Sequence, residues 1–322
     1  MRLKLVPKDS HWDFFSTTKI TLGMSSLAVV ASVILFFVMG LNFGIDFKGG
    51  TTIRTDSEVA VDVGAYRDAL TPLNLGDVSI TEIFDPTNPD QHAAQIRIQA
   101  QEGAESVSIE MITSVKEALL ATDSSLTFPE VTSVGPKVSG ELVQTAILAV
   151  VVAIAAVLFY IWLRFEWQFS VGAVTALVHD VLLTIGVFSV LQIKFDLAII
   201  AALLTIVGYS LNDTVVVFDR VRENLRRYKK KPLRDVLNQS INETLSRTMM
   251  TSVTTLIALI SLFILGGDVI RGFVFAMIWG VIVGTYSSVF VASAVLLKLG
   301  VKRDWSKEGN NPDAPTTQEA QA

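Results

Sequence analysis

The chain of 322 residues contains no cysteine and only three histidines. The absence of cysteine excludes disulfide bonds, thiolate zinc sites and a cysteine nucleophile. Three histidines also argue against a metal centre built from imidazole ligands. Charged residues are scarce, at 18% of the chain, whereas soluble globular proteins carry about 25%. Together with 51% hydrophobic residues and a mean hydropathy of +0.50, these absences argue against an ordinary soluble enzyme.

Long apolar runs are what the sequence has instead. About 20 residues of helix cross the hydrocarbon core of a bilayer, and six runs approach or exceed this length. They lie near 20–41, 142–163, 169–191, 197–218, 249–265 and 273–299. The first run is too long for a cleaved signal peptide, and no small-residue cleavage site follows it. The pattern predicts an α-helical polytopic membrane protein with six transmembrane helices.

The runs divide the chain into five parts. Residues 1–19 form an N-terminal segment, 20–41 the first transmembrane helix and 42–138 a polar α/β domain. Residues 139–299 form a five-helix bundle with a basic loop at 219–247. Residues 300–322 form a polar tail, whose composition predicts disorder.

The charges are segregated, and this predicts an orientation. Nine basic residues oppose three acidic ones between residues 220 and 247, whereas residues 42–138 hold fifteen acidic and six basic ones. The positive-inside rule places the basic loop and the N-terminus in the cytoplasm. Six spans return the C-terminus to the same side, and the acidic domain is then outside. The net charge of −5 is therefore a sum over two oppositely charged faces.

The acidic domain has the pattern of a small α+β unit. Alternating or β-branched residues predict strands near 50–55, 78–83, 95–99 and 126–131, and apolar residues at helical spacing predict helices over 59–70 and 109–119. The order β-α-β-β-α-β is ferredoxin-like. The segment has no nucleophile–base set and no glycine-rich phosphate loop. We therefore interpret it as a binding or mechanical module, not a catalytic one. We expect that the chain as a whole is not an enzyme.

Ionisable residues inside the apolar runs require an explanation, because each costs roughly 2.5–3.5 kcal/mol at the bilayer centre. His179 and Asp180 lie in the third run, Asn212 and Asp213 in the fourth, and Arg247 at the start of the fifth. A carboxylate near an arginine inside a bundle can bind and release a proton as water access changes. Static hydrogen bonds for the polar groups, and snorkelling of Arg247 to the lipid headgroups, are the alternatives.

Four segments carry a resemblance to a known family. Residues 44–50 read GIDFKGG and residues 135–142 read GPKVSGEL; residues 209–224 read YSLNDTVVVFDRVREN and residues 245–252 read LSRTMMTS. In this order they resemble signatures of the SecF family of bacterial protein-export membrane subunits, which belongs to the SecD/SecF group of the RND superfamily. The resemblance covers residues 10–303.

This resemblance implies an accessory role in Sec protein export at the bacterial inner membrane. It implies half of an RND-type bundle, with SecD as the partner that supplies the other half. The SecYEG channel, the ATPase SecA, and YajC and YidC are the further partners it implies, and unfolded preprotein is the substrate. The energy source is the proton gradient and no cofactor or metal is implied. Sodium stays open as the coupling ion, since an acidic site discriminates poorly between the two.

The resemblance also assigns roles to residues. Asp213 falls on the proton-coupling carboxylate and Arg247 on its partner arginine. Asn212, His179 and Asp180 are candidates for a polar relay. Gly44, Asp46, Gly49 and Gly50 belong to the motif at the base of the periplasmic domain, in which Asp46 is the residue of most interest.

Two other functions are considered. An RND-type lipid or drug exporter would have twelve spans and two large periplasmic domains, of which this chain would be half. An aspartyl intramembrane protease would use Asp180 and Asp213, whose carboxylates would have to lie about 3 Å apart to share a proton. Counting residues places Asp180 nearer the bilayer centre than Asp213, which argues against the protease.

Overall fold

The protein was analysed as a computed structural model that describes residues 11–76, 78–83, 92–99 and 108–301. The predicted disordered tail lies outside the described residues, apart from its first two. The described chain is mostly helical, and six helices are long and apolar enough to cross a membrane. A small sheet domain lies between the first two of them. The predicted fold class, a six-helix membrane protein with an α+β domain, is confirmed.

The α/β domain follows the first span directly. Helix α1 (Thr18–Met39) leads through the short α2 (Ile45–Lys48) into the sheet domain. The domain consists of β1 (Gly50–Ser57), α3 (Val63–Leu70), β2 (Val78–Ile83), β3 (His92–Gln99), α4 (Ile109–Thr122) and β4 (Thr127–Val134). The strands form one antiparallel sheet in the order β2-β3-β1-β4. This is the predicted ferredoxin-like arrangement.

One face of the sheet forms the core of the domain. Successive strand residues point to opposite faces, so Ile53, Ile96 and Ile98 are buried in one cluster with residues of α3 and α4. Caps fix where the two helices begin: the Asp62 side chain accepts from the Ala65 amide, and the Ser108 side chain accepts from the Met111 amide. The other face is left polar and open.

The remaining spans form the bundle. They are α5 (Pro136–Arg164), α6 (Trp167–Leu191), α7 (Leu197–Arg227), α8 (Leu233–Leu265) and a sixth span built from α9 (Gly267–Tyr286), a π-helical turn (Ser287–Ala292) and α10 (Ser293–Leu299). The end of the bundle next to the α/β domain is called the domain side below, and the opposite end the far side. Helices α6, α7 and α9 are more buried than α1, α5 and α8, which expose apolar faces.

Small residues allow the inner helices to approach closely. A Cβ on Gly280 would overlap the Ile206 side chain, and one on Gly284 would lie 3.1 Å from the Cβ of Ser210. A Cβ on Gly186 would likewise overlap Ser32. Such contacts are how membrane helices gain packing energy without a hydrophobic driving force. The G-x-x-x-G pair at 280 and 284 therefore packs α9 against α7.

The far side differs from the prediction of a basic loop over 219–247. Helix α7 continues to Arg227 and α8 begins at Leu233, so only residues 228–232 lie between the two helices. The apolar stripe at the start of α8 is buried within the protein. Val236, Leu237 and Ile241 are fully buried in one cluster with Phe14 and Phe15. The hairpin is helical because its apolar residues find a partner within the protein.

The N-terminal segment is anchored to this hairpin by hydrogen bonds. Asn238 donates to Asp13 at 2.8 Å, and Arg234 donates to the same carboxylate at 2.8 Å. The backbone amide of Trp12 donates to the side-chain oxygen of Asn242 at 3.0 Å. The segment thereby covers the apolar face of α8.

Candidate functional site

Asp213 is a buried carboxylate with an incomplete set of hydrogen bonds. It lies in the far-side half of α7, and the residue is 4% exposed. Its Oδ2 is buried without a hydrogen-bond partner among the described residues. Thr214 pairs instead with Ser288 of the π-helical turn, at 2.9 Å between the hydroxyl oxygens. Buried polar atoms are rarely left unpaired, so Oδ2 is a place where a proton can be bound.

Arg247 lies on the neighbouring helix α8 and is exposed. Its charge acts on Asp213. Within the described residues, the two side chains form neither a hydrogen bond nor an ion pair within 4.0 Å. Thr248, the next residue, has a buried hydroxyl that likewise has no hydrogen-bond partner in the part of the chain that the structure describes. The structure thus places Arg247 within electrostatic reach of Asp213 without a direct bond between the two side chains.

Asp180 lies in a second polar cluster, in which both of its carboxylate oxygens have hydrogen-bond partners. The residue is 1% exposed, and its Oδ2 accepts from the hydroxyls of Ser210 at 2.6 Å and Ser287 at 2.7 Å. The ring Nδ1 of His179 lies 3.0 Å from Asp180 Oδ1. The carboxylate therefore joins α6, α7 and the π-helical turn. A π-helical turn often marks a functional site. Here it places Ser287 against Asp180 and Ser288 against Thr214.

The two clusters meet through the hydroxyl of Ser288 and the backbone oxygen of Ser210. Ser288 donates to the backbone oxygen of Ser210 at 3.4 Å, and its hydroxyl also pairs with Thr214, the neighbour of Asp213. No hydrogen bond between the described residues joins the Asp180 and Asp213 carboxylates directly. A shared proton requires such contact, so the geometry does not support the aspartyl protease alternative.

Asn212 does not join either cluster. The asparagine is exposed, whereas Asp213 and Thr214 beside it are buried. One residue along a helix rotates the side chain by about 100°, which turns Asn212 to the outer surface of the bundle. The structure therefore separates it from His179 and Asp180, with which the predicted polar relay grouped it.

The GIDFKGG segment joins α1 to the sheet and forms hydrogen bonds with the loop before α7. Asp46 Oδ2 accepts from the Leu197 amide at 3.2 Å. The Gly44 amide donates to the Phe195 oxygen at 2.8 Å, and the Phe195 amide donates to the Asn42 oxygen at 2.7 Å. The motif therefore fixes the first turn of α7.

Glycine is favoured at three positions of this segment for two different physical reasons. Gly49 and Gly50 have φ values of +75° and +141°, which side chains rarely adopt. A Cβ on Gly44 would lie 3.3 Å from side-chain atoms of Asp196 and Lys194. The predicted motif residues Gly44, Asp46, Gly49 and Gly50 are thus brought to one junction.

Sequence reasoning missed the hydroxyl ligands of Asp180 and the partner of the GIDFKGG segment. Ser210, Ser287 and Ser288 carry a weak signal, since hydroxyl residues commonly bond across membrane helices. Asp196 had the signal of an N-cap before a long apolar helix. No group of three or more histidine, aspartate or glutamate residues that could hold a metal is found where the chain is described.

Comparisons with known proteins agree with this architecture. The family model "Protein export membrane protein SecD/SecF, C-terminal" matches residues 114–302, and the model "SecD/SecF GG Motif" matches residues 34–61. The protein translocase subunit SecF of Cereibacter sphaeroides is 61% identical over 308 residues, which cover 95% of each chain.

Fused relatives are longer. The protein translocase subunit SecDF of Brucella abortus is 38% identical over 98% of this chain, which spans 41% of that protein. The crystal structure of SecDF, a translocon-associated membrane protein from Thermus thermophilus, matches 93% of this chain with 34% identity and a TM-score of 0.80; this chain covers 40% of it.

These relatives are named as protein translocase subunits, and neither name is that of a lipid or drug exporter or of an enzyme. The identity extends over nearly the whole chain, and the two family models match the junction motif and the bundle where the sequence resemblance was found. The chain is therefore a multi-pass membrane protein with an accessory role in Sec protein export. The chain belongs to the SecD/SecF family of protein-export membrane proteins, among its SecF members.

Proposed function

We propose that the chain uses the proton gradient to promote preprotein translocation and release, with Asp213 as the residue that takes up the proton. The observation that carries this proposal is the buried Asp213 oxygen that lacks a donor while Arg247 is nearby but unbonded. A carboxylate already held by two or three donors would have less reason to change protonation state. Arg247 then modulates the proton affinity of Asp213 and completes a path from the far side.

The proposed orientation follows from charge. The far side carries the basic hairpin and the N-terminal segment, and the domain side carries the acidic domain. The positive-inside rule makes the far side cytoplasmic, with both termini there. The α/β domain is then periplasmic and the membrane is the bacterial inner membrane.

SecD is the proposed partner. The fused relatives named SecDF are more than twice as long as this chain, which matches 41% and 40% of their lengths. Asn212 and Arg247 are polar, lie in or at the edge of spans and are exposed on the outside of this half. A polar group inside the bilayer is costly when it faces lipid, which supports a second half-bundle on this surface. SecYEG, SecA, YajC and YidC are proposed from the family resemblance alone.

The proton gradient supplies enough free energy for a conformational step. Moving one charge through 100 mV is worth about 2.3 kcal/mol, which shifts an equilibrium about fiftyfold. His179 and Asp180 are proposed as a second station. The Ser210 hydroxyl donates to Asp180, and the Ser210 backbone oxygen contacts the Ser288 hydroxyl, which pairs with Thr214. Asp180 is fully bonded, so we expect it to hold the helices in register while Asp213 titrates.

The test compares two aspartates of α7 in inner-membrane vesicles. Asp213→Asn removes the titrating group, and Asp219→Asn removes an exposed carboxylate that pairs with Arg164 at 3.2 Å on the far side. We expect Asp213→Asn to abolish the gradient-stimulated part of preprotein release and Asp219→Asn to retain it. Wild-type release by Asp213→Asn would refute the coupling role. Repeating the assay without sodium decides between the two ions.

A further inference from the structure

Arg97 is a basic residue of the α/β domain that faces the membrane bundle. It lies on β3 between the buried Ile96 and Ile98, and its side chain is therefore on the open face of the sheet. This face and the domain side of the bundle enclose a cavity of about 480 Å³. Arg97 lines it from the sheet, and Lys194 and Asp196 line it from the loop before α7.

The guanidinium of Arg97 has an unusual environment. Its Nε is buried without a hydrogen-bond partner, and in the described part of the chain it forms no ion pair within 4.0 Å. Burial lowers the pKa of Arg97, while the charges of Asp196 and Asp46 act in the opposite direction. Burial likewise raises the pKa of Asp196. A partly buried charge that lacks a fixed partner is costly, so its placement opposite two carboxylates needs a reason.

Those two carboxylates hold the beginning of α7. Asp46 accepts from the Leu197 amide at 3.2 Å, and Asp196 accepts from the Ile199 amide at 3.3 Å. Both occupy the positive end of the helix dipole, where carboxylates are favoured. Asp213 lies sixteen residues after Leu197, the first residue of α7, which is about 24 Å along the helix. The cluster of Arg97, Asp46 and Asp196 therefore lies at one end of the helix that carries Asp213.

We propose that Arg97 is a positioning residue that tethers the α/β domain to the first turn of α7 through charge, without a fixed ion pair. A long-range attraction restrains the domain and still lets it move, whereas a buried bidentate pair would lock it. The part of the inference that concerns coupling to Asp213 rests on the proposed function; the tether itself does not.

The tether is tested by a distance measurement without any gradient. The chain has no cysteine, so spin labels attach only at introduced sites. Cysteines replace Glu117, on the exposed face of α4, and Leu265, at the domain-side end of α8; both residues are exposed. The full chain is reconstituted in proteoliposomes with a cysteine-free SecD partner. The distances between the two spin labels are then recorded.

We expect Arg97→Gln to broaden the distance distribution and shift it, and Arg97→Lys to keep the wild-type distribution. The matched control is Arg54→Gln, because Arg54 is on the same face of the sheet but pairs with Asp56 of its own strand at 3.2 Å. An unchanged distribution in Arg97→Gln overturns the tether. If that variant fails to accumulate, Asp196→Asn must give the same broadening, and an unchanged distribution there overturns it equally.

The coupling is tested separately by preprotein release from vesicles. Arg97→Gln should reduce the gradient-stimulated part by at least about fivefold, the lower end of typical couplings between sites, and Arg97→Lys should retain it. The double variant Arg97→Gln/Asp196→Asn should reduce gradient-stimulated release by less than the product of the two single fold-reductions, because the effects of interacting residues are not additive. Loss of stimulation in Asp213→Asn together with full stimulation in Arg97→Gln overturns the coupling alone. Full stimulation in Asp213→Asn instead overturns the proposed function and leaves the distance result standing.

Discussion

Asp213 and Arg247 lie on neighbouring helices close enough for the arginine to act on the carboxylate, yet no ion pair joins them. This spacing distinguishes the pair from the other intramembrane carboxylate, Asp180, which accepts from two serines. The bonded group is suited to holding helices together and the unbonded one to changing its protonation state.

The role of Arg247 is tested by changing its shape and its charge separately. Arg247→Lys keeps the charge and loses the planar guanidinium. Since no bidentate contact with Asp213 is present, we expect Arg247→Lys to retain most of the gradient-stimulated preprotein release and Arg247→Gln to lose it. Loss in both variants would instead show that the guanidinium geometry is required in another state of the cycle.

Asp180 is predicted to matter for stability. Asp180→Ala leaves the buried hydroxyl of Ser210 without its acceptor, which costs about 1–3 kcal/mol for an unsatisfied group. The Ser287 hydroxyl keeps a second acceptor, the Gly284 carbonyl at 3.1 Å. Asp180→Asn keeps an acceptor oxygen and should cost less. Thermal unfolding of the detergent-solubilised protein measures both, with Asp219→Asn as the control. An unchanged midpoint in Asp180→Ala would contradict the structural role.

Packing of α9 against α7 is predicted to depend on Gly280. A Cβ there meets the side chain of Ile206, so Gly280→Ala should destabilise the bundle by about 1–3 kcal/mol, as overpacking does. Gly208 is the control, because a Cβ there meets nothing within 4 Å. Gly208→Ala should be neutral or stabilise by up to about 1 kcal/mol through helix propensity. Equal unfolding midpoints for the two variants would show that the helices are not closely packed.

The α/β domain is predicted to lose stability in acid through Asp123. Hydrogen bonds from Ser57 and Ser125 hold the pKa of Asp123 below its ordinary value of 3.8. A lowered pKa contributes stability above the unfolded value, and this is lost as the pH falls through the folded value. The hydrogen-exchange protection factors of β1 and the end of α4, taken relative to the intrinsic rate at each pH, should therefore fall below about pH 4.

Asp123→Asn should remove that acid-dependent part of the exchange. Asp68→Asn, at an exposed position of α3, is the control and should keep it. The same pH dependence in Asp123→Asn as in wild type would assign the acid sensitivity to another group.

Much of the fold followed from local pattern. Apolar length predicted the six spans, and alternation predicted the strand around Ile96 and Ile98, because both depend on neighbouring residues alone. Hydropathy placed the start of the fifth span at residue 249, whereas α8 begins at Leu233. Hydropathy measures the lipid-exposed part of a helix, so it missed the turns that are buried against Phe14 and Phe15.

The site was predictable only in part. Asp213 and Arg247 were found because ionisable residues in spans are rare, and because their segments resemble a family. Ser210 and Ser287 were missed, since nothing local distinguishes a serine that faces Asp180 from one that bonds its own helix. Asn212 was grouped with the relay although the helix turns it outward. Side-chain direction depends on which face of α7 is packed, and that requires the neighbouring helices.

The sequence by itself determined the membrane-spanning class, the orientation expected from charge, the order of elements in the α/β domain and the family. These depend on composition, spacing and short motifs. Only the tertiary structure decided that the Asp180 carboxylate is hydrogen-bonded, that Asp213 Oδ2 has no partner among the described residues, and that Arg97 lines one cavity with Asp196 at the start of α7. Each of these relationships joins residues far apart in the chain, and their distances are set by how helices and sheet pack, which no local pattern encodes.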